Sequence, residues 1–280
     1  MAQLLKGKDV ASVLMEKTGK EAKALIENGI KPTLAILRVG NNQDDVAYER
    51  SILRNCEKVN IEGRVVEVPI DVDINDFIDT LQSLNTDPTV HGILIFRPLP
   101  KHLDENRIKH IIDPSKDVDC MNPLNLSKIF EGEYTGFPPC TPAAVMEIIK
   151  HFGIELEGKN AVVIGRSVVV GKPLSMMLLK ENATVTICHS RTEQLESVAR
   201  GADILVAAIG RGKFVTEEFV KDGAIVLDVG INIDGDGKLC GDVDYDKVKE
   251  KASFITPVPG GVGSVTTAIL LSHVVQGAKN

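Results

Sequence analysis

Two segments constrain this chain more than any others. Ala161–Pro173 reads Ala-Val-Val-Ile-Gly-Arg-Ser-Val-Val-Val-Gly-Lys-Pro, and Ala183–Cys188 is followed by His189-Ser190-Arg191. The first predicts an apolar strand ending at Gly165, a glycine-bearing turn and a helix opened by Pro173. The second predicts another strand. Together they form the first βαβ unit of a dinucleotide-binding domain, in which backbone N–H groups at a helix N-terminus hold a pyrophosphate. The end of the second strand chooses between cofactors. An acidic residue there suits the ribose 2′-OH of NAD, whereas the Ser190 hydroxyl and the Arg191 cation suit a 2′-phosphate, so NADP is expected over NAD. The glycines are spaced differently from G-x-G-x-x-G, and Pro173 stands where a P-loop needs a Ser or Thr for magnesium. Gly165 and Gly171 equally suit an ordinary tight turn, so the loop alone leaves both readings open.

The bulk numbers narrow the class. A chain of 280 residues is one large α/β domain or two smaller ones. Its net charge of −7 argues against nonspecific nucleic-acid binding, and 4% aromatic residues with no Trp argue against stacking on single strands. No apolar run approaches the ~20 residues of a membrane span. Ala2-Gln3-Leu4-Leu5-Lys6 has no leader pattern. The cysteines (Cys56, Cys120, Cys140, Cys188 and Cys240) are scattered without a CxxC pair, and the histidines form no ligand set. The expectation is a metal-free cytoplasmic protein without disulfides.

Periodicity then predicts the elements. Helices are expected over 11–29, 44–60, 74–84 and 104–112, with strands over 33–39, 64–70 and 91–96. The stretch from Asp113 to Pro142 is rich in Pro and Gly and reads as a domain junction. A helix over 143–152 follows, with Thr141 as N-cap and Pro142 at its first position. Beyond it the pattern predicts strands over 161–165, 184–188, 203–209 and 224–229, and helices over 172–181, 193–200 and 216–221. An extended segment over 254–259 and a closing helix over 262–276 complete it. The fold class is α/β, with two α/β domains, the second a Rossmann-like parallel sheet.

Several residues are candidates for chemistry, each with a plain structural alternative. Tyr48, Ile52 and Cys56 share one helix face, which is also the pattern of core packing. Asp117 and Asp119 lie in a loop, where carboxylates are usually solvated or cap helices. The loop Thr256-Pro257-Val258-Pro259-Gly260-Gly261 is rigid at its prolines, open to close approach at its glycines and followed by a helix N-terminus. That suits a planar ligand or a simple strand-to-helix turn. Gly230-Ile231-Asn232 follows a predicted strand at the sheet edge where α/β proteins bind ligands, and Asp228 reads as a cap or turn residue. Cys140 precedes a helix start, which would lower its pKa, but has no visible partner and reads as structural.

Taken together, these segments resemble the bifunctional methylenetetrahydrofolate dehydrogenase/methenyltetrahydrofolate cyclohydrolase family. The matching stretches are His91–Leu94, Pro98–Pro100, Lys116–Asp119, Pro139–Pro142, Gly165–Ser167 with Val170–Pro173, Asn182–Thr186 with Cys188–Ser190, and Thr256–Gly263. The resemblance implies a folate-binding domain of residues 1–140 plus 265–280 and an NAD(P)-binding domain of residues 141–264. It also implies a cleft between them for both ligands, and a homodimer. By position, Gly165, Arg166, Ser167, Gly171, Ser190, Arg191 and Ile231 are expected to contact NADP. Tyr48 is expected to stack on the aminobenzoyl part of folate and Asp119 to bind its pterin, both counted as catalytic. Pro257, Gly260 and Gly261 are expected to wall the folate and nicotinamide.

Two departures from the family pattern bear on activity. The family carries a Lys one turn after the Tyr, where this chain has Ile52. It carries Gln-Leu-Pro-Leu-Pro where this chain has Phe96-Arg97-Pro98-Leu99-Pro100. That Lys and Gln are the family's cyclohydrolase pair. Smaller departures are Cys120 and Ala144 for glycines and Ser264-Val265 for Pro-Met. Hydride transfer needs positioning, whereas hydrolysis needs proton transfer, so dehydrogenase activity with weak or absent cyclohydrolase is expected. The alternatives are an intact bifunctional enzyme using Arg54 or water in place of the Lys, a non-catalytic folate- or nucleotide-binding paralogue, and a dehydrogenase of another substrate class.

Overall fold

A computed structural model describes residues 2–133 and 135–280. The chain opens with β1 (Gln3–Leu4) and α1 (Gly7–Glu27), then alternates β2 (Thr33–Val39), α2 (Gln43–Lys58), β3 (Glu62–Val68), α3 (Ile74–Thr86) and β4 (Gly92–Ile95). The short α4 (Glu105–Ile108), α5 (Pro123–Glu131) and α6 (Cys140–His151) follow. The remainder comprises β5 (Asn160–Ile164), α7 (Gly171–Lys180), β6 (Thr184–Cys188), α8 (Leu195–Arg200), β7 (Ile204–Ala207), β8 (Ile225–Asp228), the hairpin of β9 (Asn232–Ile233) and β10 (Leu239–Cys240), α9 (Tyr245–Val248), β11 (Phe254–Ile255) and α10 (Val262–Gly277). None of the helices among the described residues is long and apolar enough to cross a membrane.

The chain divides into two compact units. One contains the described residues up to Ser12 and Thr141–Thr266; the other contains Val13–Cys140 and Thr267–Asn280. The first is built on a six-stranded sheet in the order β1-β11-β8-β7-β5-β6, with every pairing parallel. Parallel sheets are covered on both faces, so their strands read as apolar runs rather than alternations. β5 and β7 do so, with Ala161–Ile164 and Ile204–Ala207 buried. The second unit is built on the parallel sheet β3-β2-β4. All seven residues of β2 are buried. α3 lays Phe77, Ile78, Leu81 and Leu84 into this core at helical spacing, and Phe77 and Leu81 are fully buried. Burial of each such side chain stabilises by about 1.5–3 kcal/mol.

Several expectations change against this structure. The first residues, assigned by resemblance to the folate domain, instead add β1 to the edge of the six-stranded sheet, with Gln3 opposite Phe254 and Leu4 opposite Ile255. α1 begins four residues earlier than periodicity predicts, because the Gly7 N–H is anchored on the Gly260 carbonyl (2.9 Å). The predicted junction contains α5, whose ends are written in the sequence: Asn122 accepts the Leu124 N–H, Pro123 opens the helix and Gly132 closes it in the left-handed region. α6 starts at Cys140, so Thr141 lies inside the helix rather than capping it. The helices predicted over 104–112 and 216–221 shrink to Glu105–Ile108 and a single 3₁₀ turn, Glu217–Phe219.

Candidate active site

The parallel pairing places the ends of β5, β6, β7, β8 and β11 along one edge of the six-stranded sheet. Numbered from β5, the spatial order of these five strands is 2-1-3-4-5. The reversal between β5 and β7 is where open α/β sheets bind ligands. Gly165 leaves β5 at that point with φ +145°, and a Cβ on it would overlap the Ala208 carbonyl beyond β7. A Cβ on Gly171 would overlap the Gly165 carbonyl. Both glycines are therefore required for the backbones to approach. The Ser167 hydroxyl stabilises the loop by accepting the N–H groups of Val170 (3.0 Å) and Gly171 (3.4 Å). The Gly165 N–H donates to the Cys188 carbonyl (2.9 Å), which ties this loop to the end of β6. There the turn is held by the His189 N–H on the Thr192 hydroxyl (2.9 Å) and the Arg191 N–H on His189 Nδ1 (3.1 Å). Arg166, Ser190 and Arg191 are exposed.

Two buried carboxylates organise the next loops along this edge. Asp242, fully buried, accepts the consecutive N–H groups of Ile209 (2.6 Å), Gly210 (3.0 Å) and Arg211 (2.8 Å), and also Asn232 Nδ2 (3.0 Å). These bonds draw residues 209–211 out of strand geometry, so β7 ends earlier than predicted. Asp228 accepts the N–H groups of Gly230, Asp242 and Val243 (2.9–3.0 Å), which is the turn role expected of it. Burial nonetheless pushes its carboxyl pKa up to about 6. Ile231 is exposed and lies against Gly263 at the start of α10, beside the Pro257–Gly261 loop.

The other candidates gather in the second unit. β4 is flanked by a parallel bridge between Ile93 and Asp117, and the Ile93 N–H donates to the Lys116 carbonyl (2.6 Å). That register carries Asp119 alongside the residues that leave β4, Phe96 and Arg97. Asp117 itself is buried and serves the backbone, accepting the N–H groups of Met121 (2.8 Å) and Asn122 (2.7 Å). Asp119 accepts the Cys140 N–H (3.3 Å) at the start of α6 with one oxygen and Arg97 Nη2 (3.3 Å) with the other. Arg97 also faces Glu105 (3.7 Å). The rings of Tyr48 and Phe96 are 5.4 Å apart. On α2 the helix face divides: Ile52 and Cys56 are core, as periodicity alone suggests, while Tyr48 keeps 44% of its surface exposed. Arg54 is exposed and stands about 120° round the helix from Tyr48.

The electrostatics of this cluster are set by burial. Desolvation, the Asp119 carboxylate and the Cys140 thiol raise the Tyr48 phenol pKa, against a hydrogen bond with Thr267. Burial first, then Asp119, pushes the Cys140 thiol well up, which overturns the lowered value expected from its place at a helix start. Burial likewise raises the Cys120 thiol. His273, buried on α10, places Nδ1 2.8 Å from the Val118 carbonyl, so Nδ1 carries the proton. Desolvation lowers its pKa. Among the described residues no group of three or more His, Cys, Asp or Glu is placed to hold a metal.

Sequence reasoning passed over Arg97, Asp242 and Thr267. Arg97 adjoins the singled-out Phe96, and its charge at the end of an apolar strand was the available signal. Asp242 and Thr267 act across long sequence separations and had none.

Comparison with known proteins gives a consistent result. Residues 5–119 match the catalytic domain of the tetrahydrofolate dehydrogenase/cyclohydrolase family, and residues 139–280 match its NAD(P)-binding domain. The chain is 57% identical to the bifunctional protein FolD of Alkaliphilus oremlandii, over 100% of this chain and 98% of that protein. The crystal structure of the bifunctional enzyme FolD from Campylobacter jejuni superposes with a TM-score of 0.98 at 41% identity, covering 100% of this chain and 99% of that one. The FolD structure from Trypanosoma brucei, complexed with NADP cofactor and inhibitor, gives 0.93 at 34%, covering 99% and 97%.

Proposed function

Because this chain belongs to the tetrahydrofolate dehydrogenase/cyclohydrolase family, we propose that it is an NADP-dependent 5,10-methylenetetrahydrofolate dehydrogenase whose cyclohydrolase step is weak or absent. The sheet edge at Gly165 and Gly171 takes the dinucleotide. Its two close backbone approaches leave the N-terminus of α7 open to a pyrophosphate, and Arg166, Ser190 and Arg191 offer a hydroxyl and cations for a 2′-phosphate. The T. brucei relative's complex with NADP supports that choice. The folate ring system is read onto Asp119 and its aminobenzoyl part onto Tyr48. Ile231 and the Pro257–Gly261 loop are read as contacts for the nicotinamide end.

In the dehydrogenase step the methylene carbon between two folate nitrogens loses hydrogen with its bonding pair, and the nitrogen lone pairs spread the resulting positive charge. Bound NADP supplies the acceptor for that hydride. No proton moves, so the chain's contribution is orientation and exclusion of water. Hydrolysis adds water to the same carbon, removes a proton from that water, breaks a carbon–nitrogen bond and protonates the departing nitrogen. A positioned acid–base group contributes ~10²–10⁴-fold to such a step.

The observation that carries the proposal is the chemistry around Tyr48 and Asp119. Ile52 is fully buried, and Phe96 lies against the Tyr48 ring. Burial raises the pKa of Tyr48, Cys120 and Cys140, and His273 is turned to the Val118 carbonyl. Asp119 already accepts from Arg97 and from the Cys140 N–H, and its remaining acceptor sites are read as those that receive the folate ring. Arg97, the cation bonded to it, cannot accept a proton from water because a guanidinium has no acceptor site. Arg54, the alternative to the missing Lys, is turned off the Tyr48 face. Substrate with NADP is expected to give reduced nicotinamide while the methenyl product persists. Enzyme-dependent loss of that product would overturn the second half of the proposal. A homodimer, which the family resemblance implies, belongs to the same proposal and is checked by light scattering; the cytoplasmic location expected from composition is checked by cell fractionation.

A further inference from the structure

We propose that Arg97 is a positioning residue for folate, holding the Asp119 carboxylate in the orientation that receives the substrate's ring. The inference rests on the reading of Asp119 as the folate-ring acceptor given above.

Asp119 is tied at both ends. One oxygen accepts the Cys140 N–H at 3.3 Å and the other accepts Arg97 Nη2 at 3.3 Å. An ionised carboxylate has about four lone-pair sites on its two oxygens. These two bonds use one site on each oxygen, so a residual pair, one on each oxygen, can still accept donors. That residual pair matches the adjacent amino and ring N–H donors of a pterin as a parallel two-bond fork, the geometry that carboxylates share with guanidinium groups. A carboxylate held at one oxygen only would rotate about its Cβ–Cγ bond, and the fork would be lost in part of the population.

Arg97 is itself held for this task. Its other terminal nitrogen faces Glu105 at the start of α4, 3.7 Å away, and its side chain is 19% exposed. Glu105 faces Nη1 while Asp119 accepts from Nη2, so the guanidinium spans two carboxylates, which restricts its swing. Because Arg97 uses a donor on Asp119 and has no acceptor, it contributes orientation rather than proton transfer.

The test is steady-state kinetics with 5,10-methylenetetrahydrofolate and NADP on the full chain, for the native protein, Arg97→Leu, Arg97→Lys, Asp119→Asn and the double variant Arg97→Leu/Asp119→Asn. Arg97→Leu is expected to raise the folate KM about tenfold with a much smaller change in kcat and none in the NADP KM. Arg97→Lys recovers part of the loss, because one donor and the charge return without the planar fork. In the Asp119→Asn background, Arg97→Leu adds less than about twofold, because the group it orients is already gone. An unchanged folate KM in Arg97→Leu, or an equal effect in both backgrounds, overturns the inference while leaving the Asp119 reading in place. An unchanged folate KM in Asp119→Asn overturns that reading, and the inference with it. Circular dichroism of each variant shows that a loss is not unfolding.

Discussion

The rings of Tyr48 and Phe96 stand with centroids 5.4 Å apart and planes tilted by 32°. Tyr48 is on α2 and Phe96 leaves β4, so the contact fixes the exposed ring against the end of the strand beside which Asp119 lies. If Tyr48 serves folate through its ring face, removing the ring costs far more than removing the hydroxyl. Tyr48→Ala is expected to raise the folate KM about tenfold above that of Tyr48→Phe. Equal values for the two variants would place the importance on the phenol oxygen instead.

Arg38 connects the same helix to the sheet. Its guanidinium, on β2, meets Glu49 (2.7 Å) and Glu67 (2.8 Å) and donates to the Gly40 carbonyl. Arg38 and Glu49 are both buried. Breaking a buried pair by removing one partner leaves an uncompensated charge and costs about 3–5 kcal/mol. Arg38→Met is expected to lower stability by that order in urea unfolding, whereas a double Arg38→Met/Glu49→Leu variant recovers much of it.

The loop gathered by Asp242 gives a test on the cofactor side. An Asn at 242 presents N–H to backbone N–H groups, so at least one donor among residues 209–211 loses its acceptor. Asp242→Asn is expected to raise the NADP KM about tenfold, with a smaller change for folate. An effect confined to the folate KM would contradict the role given to this edge.

Burial of His273 sets a pH dependence with a definite sign. Its pKa in the folded protein lies below that of a free imidazole, chiefly through desolvation. As pH falls below about 6.5, the unfolded chain therefore binds a proton that the folded chain refuses. Stability then declines by up to about 1.4 kcal/mol per pH unit until the folded form titrates too. His273→Asn keeps a donor for the Val118 carbonyl without titrating. Its unfolding free energy is expected to depend less steeply on pH below that point than the native protein's.

Restoring the lost pair tests whether those two positions suffice. Ile52→Lys with Phe96→Gln puts an amine one turn from Tyr48 and an amide beside its ring. Enzyme-dependent hydrolysis of the methenyl product is expected to appear, with ~10²–10⁴-fold the ceiling for such groups. Absence of hydrolysis in a folded double variant would implicate Arg97 or Cys120 as further obstacles.

Local patterns made much of this molecule legible. The apolar runs of β2, β5 and β7, the glycine turn at Gly165 and the spacing of α3 all follow from nearest-neighbour chemistry, and all lie close to where periodicity puts them. The i, i+4 spacing of Tyr48 and Ile52 puts them on one helix face, which in the structure turns from surface at Tyr48 to core at Ile52. What stayed hidden depends on distant partners. β1 exists because Phe254 and Ile255 offer an edge, and two residues alone carry no strand signal. The β9–β10 hairpin is two residues on each side of Asp234-Gly235-Asp236-Gly237-Lys238, a turn signal without flanking alternation. The ion pair of Arg97 with Asp119 depends on the Ile93–Asp117 bridge, a register that the sequence does not state.

The separation of hydride transfer from hydrolysis is tested most directly by mixing the native protein with the methenyl product alone and following its absorbance against enzyme concentration. Hydride transfer without efficient hydrolysis predicts a decay rate close to that in buffer across the concentrations at which the protein, assayed in parallel, readily reduces NADP with the methylene substrate. A decay rate rising in proportion to enzyme would contradict it.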